Sequence, residues 1–486
     1  MPPPNLKKQF SEYIIKSPDG GLFTKKPAHA IDDSQSPDAQ NFDPSEVGRI
    51  KKRLGHIKFT GAAKVSPTGT FVSGLFAGAT SGGTSYVLAA EGTTVQDITN
   101  GSWNTPITGL TITVDTPVDI GMFNDKMIIC NQGGGPRYTT DGSTSTALAG
   151  SPPANSRYMM VHRNRVFLAP GTSSVVTHSA LLDESDYTTV DNAGSLTFSK
   201  GDGMVVNGMC SGQDFAIISK VSPASGGKDG KLYILYGSSP FDWTVRKIAD
   251  VGAISHKAMI AYDNFVAIAT HRGIVAVQGK YPFKLSESID PDWTAIPNKG
   301  TVTAGRYMTK LYFSYPASGS ANNREFVLDV EHGKWARNTG KTPRYYANHP
   351  DGRLLFGTSG TSILVWEAES GANDDGSAID FHYDTPDMFF DTQWSPSQVV
   401  AAYIQAKTTP SATITVTHYV DGTADAFSDT MAVATEGPVK KLKGFLETRG
   451  TMHRLRLRDN STNGQTEIYS IKVEARPFAD GTQISR

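Results

Sequence analysis

Val95-Gln96-Asp97-Ile98-Thr99-Asn100-Gly101-Ser102-Trp103 and Val327-Leu328-Asp329-Val330-Glu331-His332-Gly333-Lys334-Trp335 are one phrase written twice, 232 residues apart. Each reads valine, any residue, aspartate, a β-branched residue, two variable positions, glycine, any residue, tryptophan. That order describes a strand, a turn closed by glycine and the start of a returning strand. A hairpin unit of this size cannot bury its own apolar face, so its repetition points to copies packed side by side in a radial or stacked β-architecture.

Apolar runs of strand length fill the space around the two copies: Tyr86-Val87-Leu88-Ala89, Met127-Ile128-Ile129-Cys130, Val166-Phe167-Leu168-Ala169, Phe215-Ala216-Ile217-Ile218, Phe265-Val266-Ala267-Ile268, Leu311-Tyr312-Phe313 and Leu354-Leu355-Phe356. Their starts are spaced 39 to 50 residues apart, which matches the ~40–50 residues of a four-stranded propeller blade. Continuous rather than alternating apolar character suits inner strands covered on both faces. Ordinary sandwich strands also give apolar runs between turns, but at a period of ~8–12 residues. Seven runs predict seven blades, with six as the alternative, and place Trp103 and Trp335 at equivalent positions packed between neighbouring blades.

Composition agrees with an all-β chain. The 486 residues include 48 glycines and 27 prolines, which interrupt nearly every window long enough for a three-turn helix. The formal net charge of −1 gives no bulk attraction to nucleic acid or to an anionic membrane, so such binding would need local patches. The two cysteines, Cys130 and Cys210, lie in or beside predicted strands without metal or redox spacing and read as buried free thiols. The opening Met1-Pro2-Pro3-Pro4 lacks the apolar segment of a secretory signal, and no eighteen apolar residues run together, so the expectation is a soluble protein of a reducing cytoplasm.

Four regions follow. Residues 1–60 form an arm rich in turn formers, with a basic knot at Arg49, Lys51, Lys52 and Arg53; so little apolar surface needs a cover, either its own propeller or a neighbouring subunit. The knot is the candidate assembly contact, expected to meet acidic loops of a neighbour or of an adaptor. Residues 61–380 carry the propeller. Residues 381–476 read as an antiparallel β-sandwich, in which Thr413–Val420 and Met452–Arg458 alternate strictly. Residues 477–486 are a tail. Within the sandwich region Lys440, Lys441, Lys443, Arg449, Arg454, Arg456 and Arg458 are candidate DNA-channel or intersubunit charges, because arginines at alternate strand positions share a face and can follow phosphates or pair with carboxylates. A solvated sheet face is the plainer reading.

The chain carries no recognisable catalytic constellation. Gly133-Gly134-Gly135 lacks the lysine of a phosphate loop, Gly357-Thr358-Ser359-Gly360 lacks the spacing of a nucleophile elbow, and the eleven histidines show no zinc spacing. Asn373-Asp374-Asp375-Gly376 lacks the distal glutamate of a calcium loop. Asp290 with Asp292 could serve a glycosidase only if it were not an ordinary turn pair. The expectation is a protein that is not an enzyme and needs no cofactor or metal.

Three stretches of the arm, Gly20-Gly21-Leu22-Phe23-Thr24-Lys25, Ala39-Gln40-Asn41-Phe42 and Gly48-Arg49-Ile50-Lys51-Lys52-Arg53-Leu54-Gly55-His56, then Val161-His162-Arg163-Asn164-Arg165-Val166-Phe167-Leu168 with Ser179-Ala180-Leu181-Leu182-Asp183, and the strand pair from Gly450 to Glu474, give the chain a family likeness. It resembles the propeller-bearing head-to-tail and tail-nozzle proteins of short-tailed bacteriophages, also called packaged-DNA stabilisation proteins. The resemblance spans nearly the whole chain. It implies a structural virion protein: a homo-hexameric ring in the tail, below portal and adaptor proteins, assembled in the host cytoplasm. Such a ring would retain packaged DNA, meet tail fibres or tailspikes, touch double-stranded DNA transiently and without sequence preference, and insert no segment into a membrane. A receptor- or glycan-binding tail propeller and a fibre-anchoring adaptor are the alternatives; the first would need aromatics clustered on one rim.

Overall fold

The computed structural model describes residues 10–131, 133–390, 395–409, 412–432, 439–443 and 449–478, with 425–432 and 439–443 as backbone alone. Seven small antiparallel sheets follow one another along the chain. Their first strands are Val72–Ala79, Asp119–Phe123, Tyr158–His162, Val205–Ser211, Met259–Tyr262, Thr303–Tyr307 and Pro343–Asn348. Each packs against the next, and the seventh packs against the first, so the sheets close into a seven-bladed propeller around a central axis. The two sequence phrases fall in the same place of two blades, on the third strands Thr94–Asp97 and Arg324–Asp329. In both, the aspartate side chain accepts from a backbone N–H of the turn: Thr99 N donates to Asp97 Oδ1 at 2.8 Å, and His332 N donates to Asp329 Oδ2 at 3.0 Å. Gly101 and Gly333 both sit at positive φ, 77° and 67°, the conformation that makes glycine the natural closing residue.

The apolar runs give the blade period but occupy the second strand of each blade. The reason is coverage: a second strand has strands on both edges and a neighbouring blade on each face, so every residue of Phe215–Val221, Phe265–Thr270, Lys310–Tyr315 and Leu354–Thr358 is buried. The first strands border the axis, where seven converge, and four of them carry an interior glycine. A Cβ at Gly74 would stand 2.5 Å from Val118 O, at Gly121 2.7 Å from Met159 Cε, at Gly208 2.8 Å from Met259 Sδ and at Gly305 2.5 Å from Tyr346 Cγ. Each of these contacts lies on or beside the first strand of the following blade, so the glycines set how closely blades approach around the axis.

The seventh blade is closed by the arm. Its first three strands, Pro343–Asn348, Leu354–Thr358 and Val365–Ala368, are completed by His56–Lys58, which moves the start of the propeller unit into the arm and fastens the ring with both ends of the propeller segment. Trp335 is buried in the fourth strand of blade 6, its indole N–H donating to Leu285 O at 3.1 Å. Trp103 is only half-buried, because among the described residues blade 1 has three strands and no fourth to cover the ring.

Beyond the propeller lies a sandwich of two antiparallel sheets. One runs Ser11–Ile15, Thr466–Pro477, Ser397–Thr408, Val439–Lys443, with Ile50–Lys51 and Arg449–Gly450 alongside; the other runs Ala39–Gln40, Phe381–Asp384, His453–Asp459, Thr413–Val420, Thr423–Ala432. Three of these strands belong to the arm. Ile15, Ala39, Phe42 and Ile50 share one core with Ile404, Val416, Leu455, Leu457, Ile471 and Val473, and that core continues into Tyr312, Val327 and Phe356 of blades 6 and 7. The arm from Phe10 onward thus finds cover in its own chain, the first of the two covers its composition calls for. One short α-helix, Asp290–Ala295, is present among the described residues.

Candidate functional site

The basic knot does not reach outward. Arg53 is buried, and all five of its guanidinium N–H groups are placed: Nε donates to Asn41 Oδ1 (2.9 Å), Nη1 to Leu54 O (2.8 Å) and Asp374 Oδ1 (2.9 Å), Nη2 to Thr339 O (2.7 Å) and Asp374 Oδ2 (2.6 Å). His56 Nδ1 lies 2.9 Å from Asp374 Oδ1. Burial disfavours the charged form of Asp374, yet the hydrogen bonds from His56 and Arg53 outweigh it and hold the carboxyl well below its ordinary range. Lys52, also buried, donates to Asp459 Oδ2 at 3.3 Å and Ser461 O at 3.0 Å. Arg49 pairs with Glu46 and Glu467, and Lys51 with Glu46. All four cations of the knot thus find carboxylates in their own chain.

Next to this clasp Lys310 bridges Glu369 (2.8 Å) and Asp43 (3.1 Å), and Lys341 lies 3.5 Å from Glu369. Burial pushes Glu369 toward its neutral form, but Lys310 and Lys341 override it and bring the carboxyl down to about 2. Asp43 from the arm, Lys310 and Lys341 from blade 6 and its exit, and Glu369 from the end of blade 7 thus form one buried charge chain.

On the strand His453–Asp459 the leucines Leu455 and Leu457 face the core while the arginines share the other face. Arg454 pairs with Asp387 at 2.7 Å, Arg456 with Asp384 at 2.6 Å and with Asp38 at 2.7 Å, and Arg458 with Asp380 at 2.6 Å. Alternation found the face; its carboxylates, on neighbouring strands and the arm, were hidden by sequence distances of 67 to 418 residues. Val439–Lys443 pairs with 401–405, and the side chains of Lys440, Lys441 and Lys443 lie outside the described residues. Asp290 caps a structural turn with Lys284 and Ser286, and Asp292 lies 3.7 Å from Arg337. Both cysteines are free, and burial pushes the Cys210 thiol up to about 12.

A site the sequence reading missed lies on the propeller axis, at the beginnings of the first strands. Asp119, Arg157, Tyr158, His256, Lys257, Thr303, Arg344 and Tyr345 line a cavity of about 70 Å³ there. Asp119 is buried: Lys257 Nζ donates to Oδ1 at 2.6 Å, His256 Nε2 lies 2.8 Å from Oδ2, and Met159 N donates to the same oxygen at 2.8 Å. Burial opposes ionisation of Asp119, but His256 and Lys257 outweigh it and hold the carboxyl well below the usual value. Arg157 packs its guanidinium 5.3 Å from the Tyr158 ring centre and its Nε is buried without a hydrogen-bond partner. Arg344 sits 4.4 Å from the Phe71 ring centre, and loss of water pulls its guanidinium down from its ordinary value. Stepping one strand back from each apolar run would have found these residues.

Among the described residues no group of three or more His, Cys, Asp or Glu side chains could hold a metal ion, and no helix is long and apolar enough to cross a membrane. No family model matches the chain, and no curated protein matches it. Among solved structures, it is similar to the extracellular domain of the putative one component system BT4673 from B. thetaiotaomicron, with 7% identity, TM-score 0.42, and coverage of 86% of this chain but 59% of that one. The WD40 domain of Neurospora crassa Pan2 gives 9% identity and TM-score 0.40 over 65% of this chain and 95% of that one. BBS1N, solved in complex with ARL6DN, gives 12% identity and TM-score 0.39 over 65% and 97%.

Proposed function

We propose that this chain is a structural subunit of a short-tailed phage tail, a nozzle protein that helps retain packaged DNA and conduct it at ejection. The observation that supports this reading is where the family-like motifs fall. Leu22 N donates to Trp335 O at 2.7 Å, Asn41 N to Arg337 O at 2.8 Å, and Arg53 reaches Asp374. The three arm motifs are therefore the segments that tie blade 6, blade 7 and the sandwich into one body, so the residues carrying the likeness are the ones that build the architecture. A rigid body of this kind suits a load-bearing ring component. The propeller axis, bordered by seven first strands around a cavity of about 70 Å³, is too narrow to pass a duplex; DNA would run through the opening of a ring of subunits.

The test is a phage assembled without this chain. Filled heads should lose their DNA, read as nuclease-sensitive genomes in purified particles. Heads that keep nuclease-resistant genomes at the normal level would overturn the proposal.

A further inference from the structure

We propose that the axial cavity is a binding site for one small oxyanion, a phosphate-like or carboxylate group held between Arg157 and Arg344. Arg157, Lys257 and Arg344 bring three fixed positive charges to the cavity, and Asp119 is the one carboxylate that lines it. Asp119 is already occupied by Lys257, His256 and Met159 N. Asp115, whose charge also reaches Arg344, is engaged by Thr70 through its N–H at 2.8 Å and its hydroxyl at 2.9 Å. Two guanidinium groups thus remain beside aromatic faces without a carboxylate partner among the described residues: burial strips water from Arg344, and Arg157 Nε is buried without a hydrogen-bond partner. Partly desolvated guanidinium groups are costly unless an anion completes them, and their planar forks match the paired oxygens of phosphate or carboxylate.

The seven-fold convergence explains why the site is there. Each blade delivers the start of its first strand to the same end of the axis, so Arg157 of blade 3, Lys257 before blade 5 and Arg344 of blade 7 meet although they are 87 to 187 residues apart in sequence. Tyr158 and Tyr345 fill the wall between them. The cavity of about 70 Å³ holds several water-sized spheres at ~10–15 Å³ each, enough for one oxyanion group and too little for a nucleotide or a sugar ring. The ligand is therefore a free small anion or a single projecting anionic group.

Isothermal titration of the full chain with sodium phosphate, with sodium acetate in a parallel arm and chloride holding ionic strength constant, tests the proposal. Saturable one-to-one binding of phosphate or acetate is expected, and the arm that binds identifies the chemistry. R344Q and R157Q should each weaken it by roughly ten- to a hundredfold, the range for one lost charge-assisted hydrogen bond, while K247Q, at an exposed lysine paired with Asp250, should leave it unchanged. Near-ultraviolet circular dichroism checks that each variant keeps its packing, and either arginine variant suffices if the other fails to fold. No saturable binding in either arm, or binding that R344Q and R157Q leave as strong as K247Q does, would overturn the proposal.

Discussion

Replacing Arg53 with methionine should reveal how much of the architecture rests on the arm. The side chain is 2% exposed and donates five hydrogen bonds, two of them to the buried carboxylate of Asp374. Methionine fills much of the same volume, so the loss is electrostatic rather than a cavity. Asp374 would keep His56 as a partner but lose its guanidinium, and a buried charge stripped of its partner costs about 3–5 kcal/mol. Urea denaturation followed by tryptophan fluorescence measures this directly. The same assay supplies a signature that mere repacking would not give. Asp374 lies below its ordinary value in the folded chain, so the pair's stabilisation is fully present above about pH 4 and fades as pH falls further, since the unfolded carboxylate takes up its proton first. The difference between wild type and R53M should therefore shrink on acidification. D374N in the R53M background should recover part of the loss, because a neutral amide needs no counter-charge. A loss below about 1 kcal/mol at pH 7, or one that does not change with pH, would refute the claim that this pair holds the clasp.

Trp335→Ala should cost about 3–5 kcal/mol because the ring is fully buried, whereas Trp103→Ala, truncating a half-buried ring, should cost about 1–2 kcal/mol on the same apolar-area scale; equal urea-midpoint shifts would contradict the difference between a three- and a four-stranded blade. Gly305→Ala should destabilise by about 1–3 kcal/mol because its methyl meets the ring root of Tyr346, while Gly121→Ala should cost less because the mobile end of Met159 can move aside; thermal melts in the reverse order would show that these glycines do not set blade spacing. Burial lowers His162 to about 4 and lowers His178 and His453 as well. The folded chain thus binds fewer protons than the unfolded one, so stability should fall as pH drops from about 6.5 to about 4, with His162 contributing on the order of 2 kcal/mol. A urea midpoint constant across that window, or unaffected in slope by H162Q, would contradict this.

The blade period and the hairpin phrase were readable because both depend on local rules: a second strand must be apolar throughout, and a tight turn needs aspartate and glycine at fixed offsets. The same logic misled about position, since Phe215–Val221 looks innermost when apolar character is equated with centrality. The real first strands are broken by Gly74, Gly121, Gly208 and Gly305, whose meaning appears only when the ring closes. Charge partners were out of reach for a related reason. Nothing near Arg53 in sequence announces Asp374, and nothing near Arg344 announces Arg157, because ring closure and the arm's return decide both. The alternating arginines of His453–Asp459 were visible as a face, but whether such a face meets solvent, nucleic acid or carboxylates depends on which strands lie beside it.

The mass of the purified chain, measured by native mass spectrometry alone and after mixing with the portal and adaptor complex of the same phage, tests the proposed role most directly. Six copies of the 52.2 kDa chain per complex are the predicted result. A chain that stays at its monomer mass and leaves the mass of the portal complex unchanged would contradict the account.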